Sequence, residues 1–333
     1  MKKIIPFFLV ILTLLSFSCT NKNKYKDLPE ELAKLSLNIE KHPKNAENYY
    51  KRADYYYRNK QIEKGIQDIQ QAVNLQPDSS KYYVKLSDFY FAMQETDLTE
   101  EMLQKAISVD ENNNEARLKL AELQYLTRQY DDCDKTISEA LKRQPHNPKA
   151  ILTKAFMLKD LNDTVGYIRM LQLVIDQNPK EIKAYLELGY FYQMKNDPMA
   201  ISYYQNGLRY DPKNVELHSN LAKMFQDMGK FDEAEQEYKT AISIDSTDLR
   251  SLNNLGYIYI NDYFKKYDEA VDLFTRAINV NPNFFYALCN RGIAYELAGN
   301  YVAARKDYEE TLKLSTNFEP AILGLNRLDK IQR

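Results

Sequence analysis

Apolar residues along this chain recur at helical spacing in short blocks separated by polar turns. In Val215–Asp248 the first block places Leu217, Leu221 and Phe225 on one face and stops at Gly229. The second places Ala234, Tyr238, Ala241 and Ile242 together and stops in the polar turn Asp245–Asp248. Spacing of i, i+3, i+4 and i+7 is what one buried stripe of a helix requires. The two blocks predict an antiparallel helix hairpin, and Ala222, Ala234 and Ala241 are small enough to let the helix axes approach closely.

The rest of the chain repeats this design. Pro43, Pro77, Pro145, Pro179, Pro212 and Pro282 are separated by 34, 68, 34, 33 and 70 residues, one or two lengths of a single period. Proline cannot continue a helix interior, so at this place it closes one hairpin and opens the next. With Ala46 as position one, copies begin at Ala46, Ser80, Asn114, Pro148, Ile182, Val215, Leu249 and Phe285. One residue is lost in the fifth copy, and two are gained near Asp262–Lys266 in the seventh. Small residues recur at positions eight, twenty and twenty-seven. They are Ala53, Gly65 and Ala72 in the first copy, Ala121, Cys133 and Ala140 in the third, and Gly256, Ala270 and Ala277 in the seventh.

This period and these positions resemble the tetratricopeptide repeat family, whose unit is about 34 residues. The resemblance runs from Ala46 to Phe318 and implies an all-α, right-handed solenoid of about eight helix hairpins over residues 46–318. A solenoid needs polar ends, because terminal repeats otherwise expose an apolar face. Residues 27–45 supply an N-terminal capping helix with Leu28, Leu32, Leu35 and Ile39 on one side. Residues 319–333 supply a C-terminal one with Ile322, Leu325 and Leu328 inward. One folded unit is expected. The fourth copy departs, with Tyr167 and Val174 where small residues belong, so its helices are expected to sit further apart and to bend the solenoid.

Ahead of the repeats, Lys2 and Lys3 precede an apolar run from Ile4 to Leu15, shorter than the ~20 residues that span a bilayer. A basic start, an apolar core and small residues make residues 1–18 a secretory signal peptide, outside the fold. Leu15-Ser16-Phe17-Ser18-Cys19 resembles a bacterial lipobox, with its leucine four residues before the cysteine instead of three. The resemblance implies that Cys19 is lipidated and begins the mature chain. Ser16-Phe17-Ser18 also fits ordinary signal peptidase, which leaves a soluble periplasmic protein as the alternative. Residues 19–26 are polar, without an apolar face, and suit a flexible tether. No aspartate follows Cys19, so resemblance to lipoprotein sorting implies the outer membrane, facing the periplasm.

Composition narrows the chemistry. A net charge of -2 provides no basic face for nucleic acid. His42, His146 and His218 are scattered, and none stands beside a second metal ligand at a matching spacing. Cys133 occupies a small-residue packing position and Cys289 lies five copies later, too far to bridge, so both read as inert thiols. Carboxylate pairs such as Asp131-Asp132 and Glu309-Glu310 read as solvated surface. Asp110–Glu115 lacks the alternating pattern and glycine of a calcium loop and reads as an inter-repeat turn. No phosphate loop, nucleophile elbow or HExxH is present. The chain is therefore read as a non-enzyme with no metal or cofactor.

In the tetratricopeptide family, first-helix positions two, five, nine and twelve line the concave surface. Carried onto this sequence, they place Tyr50, Asp54, Tyr57, Val84, Phe91, Leu118, Tyr125, Leu152, Phe156, Leu186 and Tyr190 in a partner groove. Aromatic anchors rimmed by charge suit a protein or peptide partner, because buried aromatics carry most interface energy. The bland alternative is that Tyr50, Tyr57 and Phe91 pack on neighbouring first helices. Family members that grip a C-terminal carboxylate carry lysine and asparagine where Tyr50 and Asp54 stand, so that use is discounted. The expectation is a membrane-anchored interaction scaffold that holds a protein segment in its groove. A structural subunit of an outer-membrane assembly, secretion or pilus machine is the first alternative. A glycan-binding lipoprotein is the second, and the absence of tryptophan counts against it.

Overall fold

The computed structural model describes residues 24–331. The expected signal peptide, Cys19 and the first residues of the tether lie outside the described residues. Where one folded unit is expected, contacts group the chain into two compact units that divide between Asp163 and Thr164. The first holds α1 (Glu30–Lys41), α2 (Ala46–Arg58), α3 (Ile62–Leu75), α4 (Ser80–Ala92), α5 (Thr96–Val109), α6 (Asn114–Leu126), α7 (Tyr130–Arg143) and α8 (Pro148–Asp160). The second holds α9 (Thr164–Gln177), α10 (Ile182–Gln193), α11 (Met199–Tyr210), α12 (Val215–Asp227), α13 (Phe231–Ile244), α14 (Leu249–Tyr259), α15 (Tyr267–Val280), α16 (Phe285–Leu297), α17 (Tyr301–Leu314) and α18 (Glu319–Ile331). Every first helix of a copy begins at the residue assigned position one. The division falls inside the fourth copy, where Tyr167 and Val174 are both buried in the second unit.

Within each unit consecutive helices pack on one another. First helices also touch across copies, as α2 does α4 and α12 does α14, more closely than second helices do one another. The first helices thus form the tighter face of each unit. Asn45, Asn113, Asn147, Asn214 and Asp248 cap first helices by accepting a backbone N–H in the opening turn. Position fifteen, between the two helices of each copy, has positive φ throughout. Gly229 and Gly299 take it freely, but Lys60, Gln94, Arg128, Asn162, Asn196 and Lys265 hold it with a side chain.

The core is one side chain repeated. Position twenty-four of the second helix is Ile69, Leu103, Ile137, Leu171, Tyr204, Tyr238, Phe274 and Tyr308, and each is fully buried. The aromatic members demand small residues opposite. A Cβ on Gly189 would lie 2.2 Å from the Tyr204 ring, one on Gly256 2.7 Å from Phe274 and one on Gly292 2.8 Å from Tyr308. A buried tyrosine also needs a partner for its hydroxyl. Position twelve of the first helix supplies it: Tyr204 donates to Gln193 at 2.7 Å, Tyr238 to Gln226 at 2.8 Å and Tyr308 to Glu296 at 2.6 Å. In the seventh copy the ring is Phe274, without a hydroxyl, and position twelve is Ile260.

In three copies position four ties the hairpin to the turn before it. Tyr49 donates to the Pro43 carbonyl and Tyr83 to that of Pro77, both at 3.1 Å. His218 takes this place in the sixth copy. Its Nε2 meets the Pro212 carbonyl at 3.1 Å and its Nδ1 the Glu237 carboxylate at 2.5 Å. Two acceptors on one ring call for imidazolium.

The end copies share a further device. Arg52 donates to both Asp68 oxygens at 2.7 and 2.8 Å and to Ser36 at 3.2 Å. Arg291 repeats this with Asp307 at 2.7 and 2.9 Å and Thr275 at 3.1 Å. The capping helices turn slightly from their expected faces. α1 buries Leu32, Ser36 and Ile39, while Leu28, ahead of the helix, is exposed. α18 buries Ala321, Gly324 and Leu328, while Ile322 is exposed, because the Tyr308 ring presses on Gly324 and selects the small residues as the inner face.

Two outcomes follow from these contacts. Tyr238→Phe strands the Gln226 side chain and is expected to cost about 1 kcal/mol in urea unfolding. Adding Gln226→Ile, as in the seventh copy, is expected to recover most of that loss. Additive losses in this double-mutant cycle would show that the pair is not coupled. The Glu237 bond, against opposing burial and helped by the Pro212 carbonyl, raises His218 above its ordinary value. A raised histidine adds stability that is full below the unfolded value of about 6.5 and is lost as pH climbs through the folded one. The urea midpoint should therefore fall between pH ~6 and ~8. His218→Tyr, which copies Tyr49 and Tyr83, should flatten that slope.

Candidate functional site

Groove residues are sorted by the first-helix face itself. Tyr50 tilts onto Tyr82 at 5.6 Å, and Tyr57 meets Phe89 edge-on at 5.2 Å. Lys85 Nζ lies 5.2 Å over the Tyr57 ring, and Lys81 Nζ 5.1 Å over that of Tyr50. Tyr125 and Phe156 face each other at 6.5 Å. Leu118, Leu152 and Leu186 are half-buried. Val84 cannot serve as a groove residue: it is 5% exposed, packed with Leu103 and Leu120. Phe91, 48% exposed, and Tyr190, 51% exposed, keep substantial free surface.

Asp54 is not a free charge. Lys85 donates to it at 2.8 Å and Arg58 at 3.3 Å. Burial alone would raise its carboxyl, but these two cations hold it below the usual range. The pairing continues along the face. Asp88 accepts from Lys119 at 2.6 Å, Glu47 from Lys81 at 2.5 Å, and Glu122 lies 2.6 Å from Lys149. Lys85 and Lys119 were not among the expected lining positions. Their signal lies in the sequence: an aspartate at position nine followed, 31 residues later, by a lysine at position six of the next copy.

Between Tyr57 and Phe91 the face opens into a cavity of about 180 Å³, lined also by Ser87, Asp88, Thr99, Leu103, Lys119, Glu122 and Leu123. An apolar cavity of ~150 Å³ holds a benzene-sized group, and drug-sized ligands occupy ~300 Å³ or more. This cavity is sized for one side chain. In the second unit, position twelve is spent on the core. Gln193 and Gln226 accept from buried tyrosines, and Glu296 accepts from Tyr308 while Arg327 grips it at 2.7 and 2.8 Å. At position nine Tyr190 and Tyr257 are about half exposed there; Tyr286 at position two is equally exposed but packs on Phe284, Phe285 and Phe318.

Thiol chemistry is suppressed. Burial pushes Cys133 up to about 11 and Cys289 up to about 12, so both stay protonated at neutral pH. The Asp110–Glu115 stretch forms an inter-repeat turn in which Asp110 accepts from the Asn112 N–H, and Asn113 caps α6. Among the described residues no cluster of three or more His, Cys, Asp or Glu is placed to hold a metal. No helix among them is long and apolar enough to cross a membrane.

Tetratricopeptide repeat models match residues 46–79 and 249–284, 90–155 and 200–255, and 273–306. Together these stretches cover more than half of the chain. Two of them begin and end with the first and seventh copies. Type IV pilus assembly protein PilF of Pseudomonas aeruginosa is 28% identical over 162 residues, 44% of this chain and 62% of that protein. The DnaJ protein P58IPK homolog B of Oryza sativa subsp. japonica is 29% identical over 184 residues, 50% of this chain and 39% of that protein. The chain thus spans less than two thirds of the length of these curated relatives. Among solved structures, the type IV pilus biogenesis factor PilW superposes with a TM-score of 0.52 at 16% identity, covering 64% of this chain and 98% of that one. A tetratricopeptide repeat protein from Parabacteroides merdae superposes with a TM-score of 0.50 at 17% identity, covering 75% and 98%. At such identities these structures speak to the fold alone. The chain belongs to the tetratricopeptide repeat family, whose members are generally non-catalytic scaffolds for protein interaction.

Proposed function

We propose that this protein is an exported, membrane-anchored scaffold without catalytic activity that holds a segment of a partner protein along the first-helix face of its N-terminal unit. Phe91 carries the proposal. Its ring is about half exposed, stacks on no other ring among the described residues, and borders a cavity the size of one side chain. Tyr50, Tyr57 and Tyr125 are engaged with neighbouring rings and frame the site. The anchor is the lipid on Cys19, in the outer membrane and facing the periplasm, with a soluble periplasmic protein as the alternative. A second reading, a structural subunit of a pilus or secretion machine, is favoured by the similarity to PilF over 44% of the chain.

Quantitative co-purification from native envelopes tests this. Recovery of the partner is expected to fall at least ~5-fold with Phe91→Ala, the loss of one interface anchor. Circular dichroism should be unchanged. Undiminished recovery would remove this face from recognition. One partner in fixed stoichiometry would favour the machine subunit, and several weakly held partners the scaffold. For the anchor, metabolic labelling with an alkynyl fatty acid should mark the wild type and not Cys19→Ser. Equal labelling, or none in either, would sink the lipid at that residue.

A further inference from the structure

The walls of the cavity beside Phe91 differ in what they can offer a guest. Ser87 spends its hydroxyl proton on the Val84 carbonyl at 2.7 Å, and Thr99 spends its own on that of Glu95 at 2.7 Å. Lys119, the one cation among the lining residues, is held by Asp88 at 2.6 Å. An incoming group therefore meets oxygen lone pairs, the Asp88 and Glu122 carboxylates, already paired with Lys119 and Lys149, and aromatic rings. Glu122 is bound to Lys149 through Oε2, and its side chain is about half exposed. Deeper in, Leu103 and Leu123 form an apolar wall.

An anionic side chain would face Asp88 and Glu122, and an aliphatic one would leave acceptors without donors. A flexible hydrocarbon stem ending in a cation satisfies both parts of the wall, since such side chains bury the stem and keep the head at polar groups. The exposed Phe91 face adds attraction for a cation. We propose that this cavity receives the side chain of a lysine or arginine from the partner, its stem along Leu103 and Leu123 and its head between Glu122 and the Phe91 ring. The inference rests on the groove reading and names the partner's chemistry at that site.

The test uses the full chain in detergent with leucine methyl groups labelled for NMR, and three probes: n-pentylammonium, 1-hexanol and pentanoate. Pentylammonium should shift the Leu103 and Leu123 methyl signals and bind ~3- to 5-fold more tightly than hexanol, the worth of a partly exposed ion pair. Pentanoate should bind weakest. Glu122→Gln should bring the ammonium and the alcohol to near equality. Hexanol or pentanoate binding as well as the ammonium, or a preference untouched by Glu122→Gln, would overturn the assignment. If envelope partners are lost from Phe91→Ala while the probes show no preference for the cation, the basic side chain falls and the groove stands. Partners that survive Phe91→Ala would overturn the groove, and with it the partner's basic side chain, whatever the probes do.

Discussion

The structure depends on one arrangement repeated within each unit: a fully buried side chain at position twenty-four of the second helix, against which the first helices pack. Burying a residue of this size contributes roughly 1.5–3 kcal/mol relative to leaving it exposed. A hairpin standing alone has only one such plug, which is why repeats of this kind need neighbours to fold. Everything that sets helix spacing follows from the size of the plug. In the first four copies it is isoleucine or leucine, and position eight is alanine or serine. From the fifth copy on it is aromatic, and position eight shrinks to glycine in three of those four copies.

An aromatic plug brings a second requirement that reaches the surface. Three of the four rings are tyrosines, and a buried hydroxyl without a partner costs more than a made hydrogen bond returns. Position twelve, which points toward the first-helix face, is drawn inward to accept that bond. Gln193, Gln226 and Glu296 are thereby committed to the core. In the first three copies the plug is aliphatic and makes no such demand, so position twelve carries the rings Tyr57, Phe91 and Tyr125, of which Phe91 keeps an exposed face. The same repeat thus differs between units: one leaves position twelve out of its core, and the other uses it to satisfy buried hydroxyls.

Charge on the N-terminal face obeys a similar rule. Asp54 and Asp88 at position nine find lysines at position six of the next copy, and Glu122 finds Lys149 at position two of the next, so the ladder is internally neutral. Partly exposed pairs of this kind contribute little stability, typically below ~1 kcal/mol each. Their consequence is chemical: they decide which acceptors remain for a guest. The buried bidentate pairs Arg52–Asp68 and Arg291–Asp307 behave differently. They replace the leucine that most inner copies carry at position seven, and they mark the first and last copies of the array.

The sequence by itself determined the repeat. Proline spacing and small residues at three offsets placed all eight first-helix starts, because a period of 34 residues and a helical stripe are one-dimensional properties of the chain. The oddity of the fourth copy was also legible, as Tyr167 and Val174. Tertiary structure alone decided which groove residues are free. Val84 is lost to the core, Asp54 to Lys85, and Tyr50 and Tyr57 to neighbouring rings, because each fate depends on a residue one copy away whose side chain must turn to meet it. The left-handed turn at position fifteen was visible only where glycine occupies it, since Lys60, Gln94 and Arg128 carry no such signature. Those residues are held there by the two helices on either side, whose packing outweighs a local backbone preference worth about 1 kcal/mol.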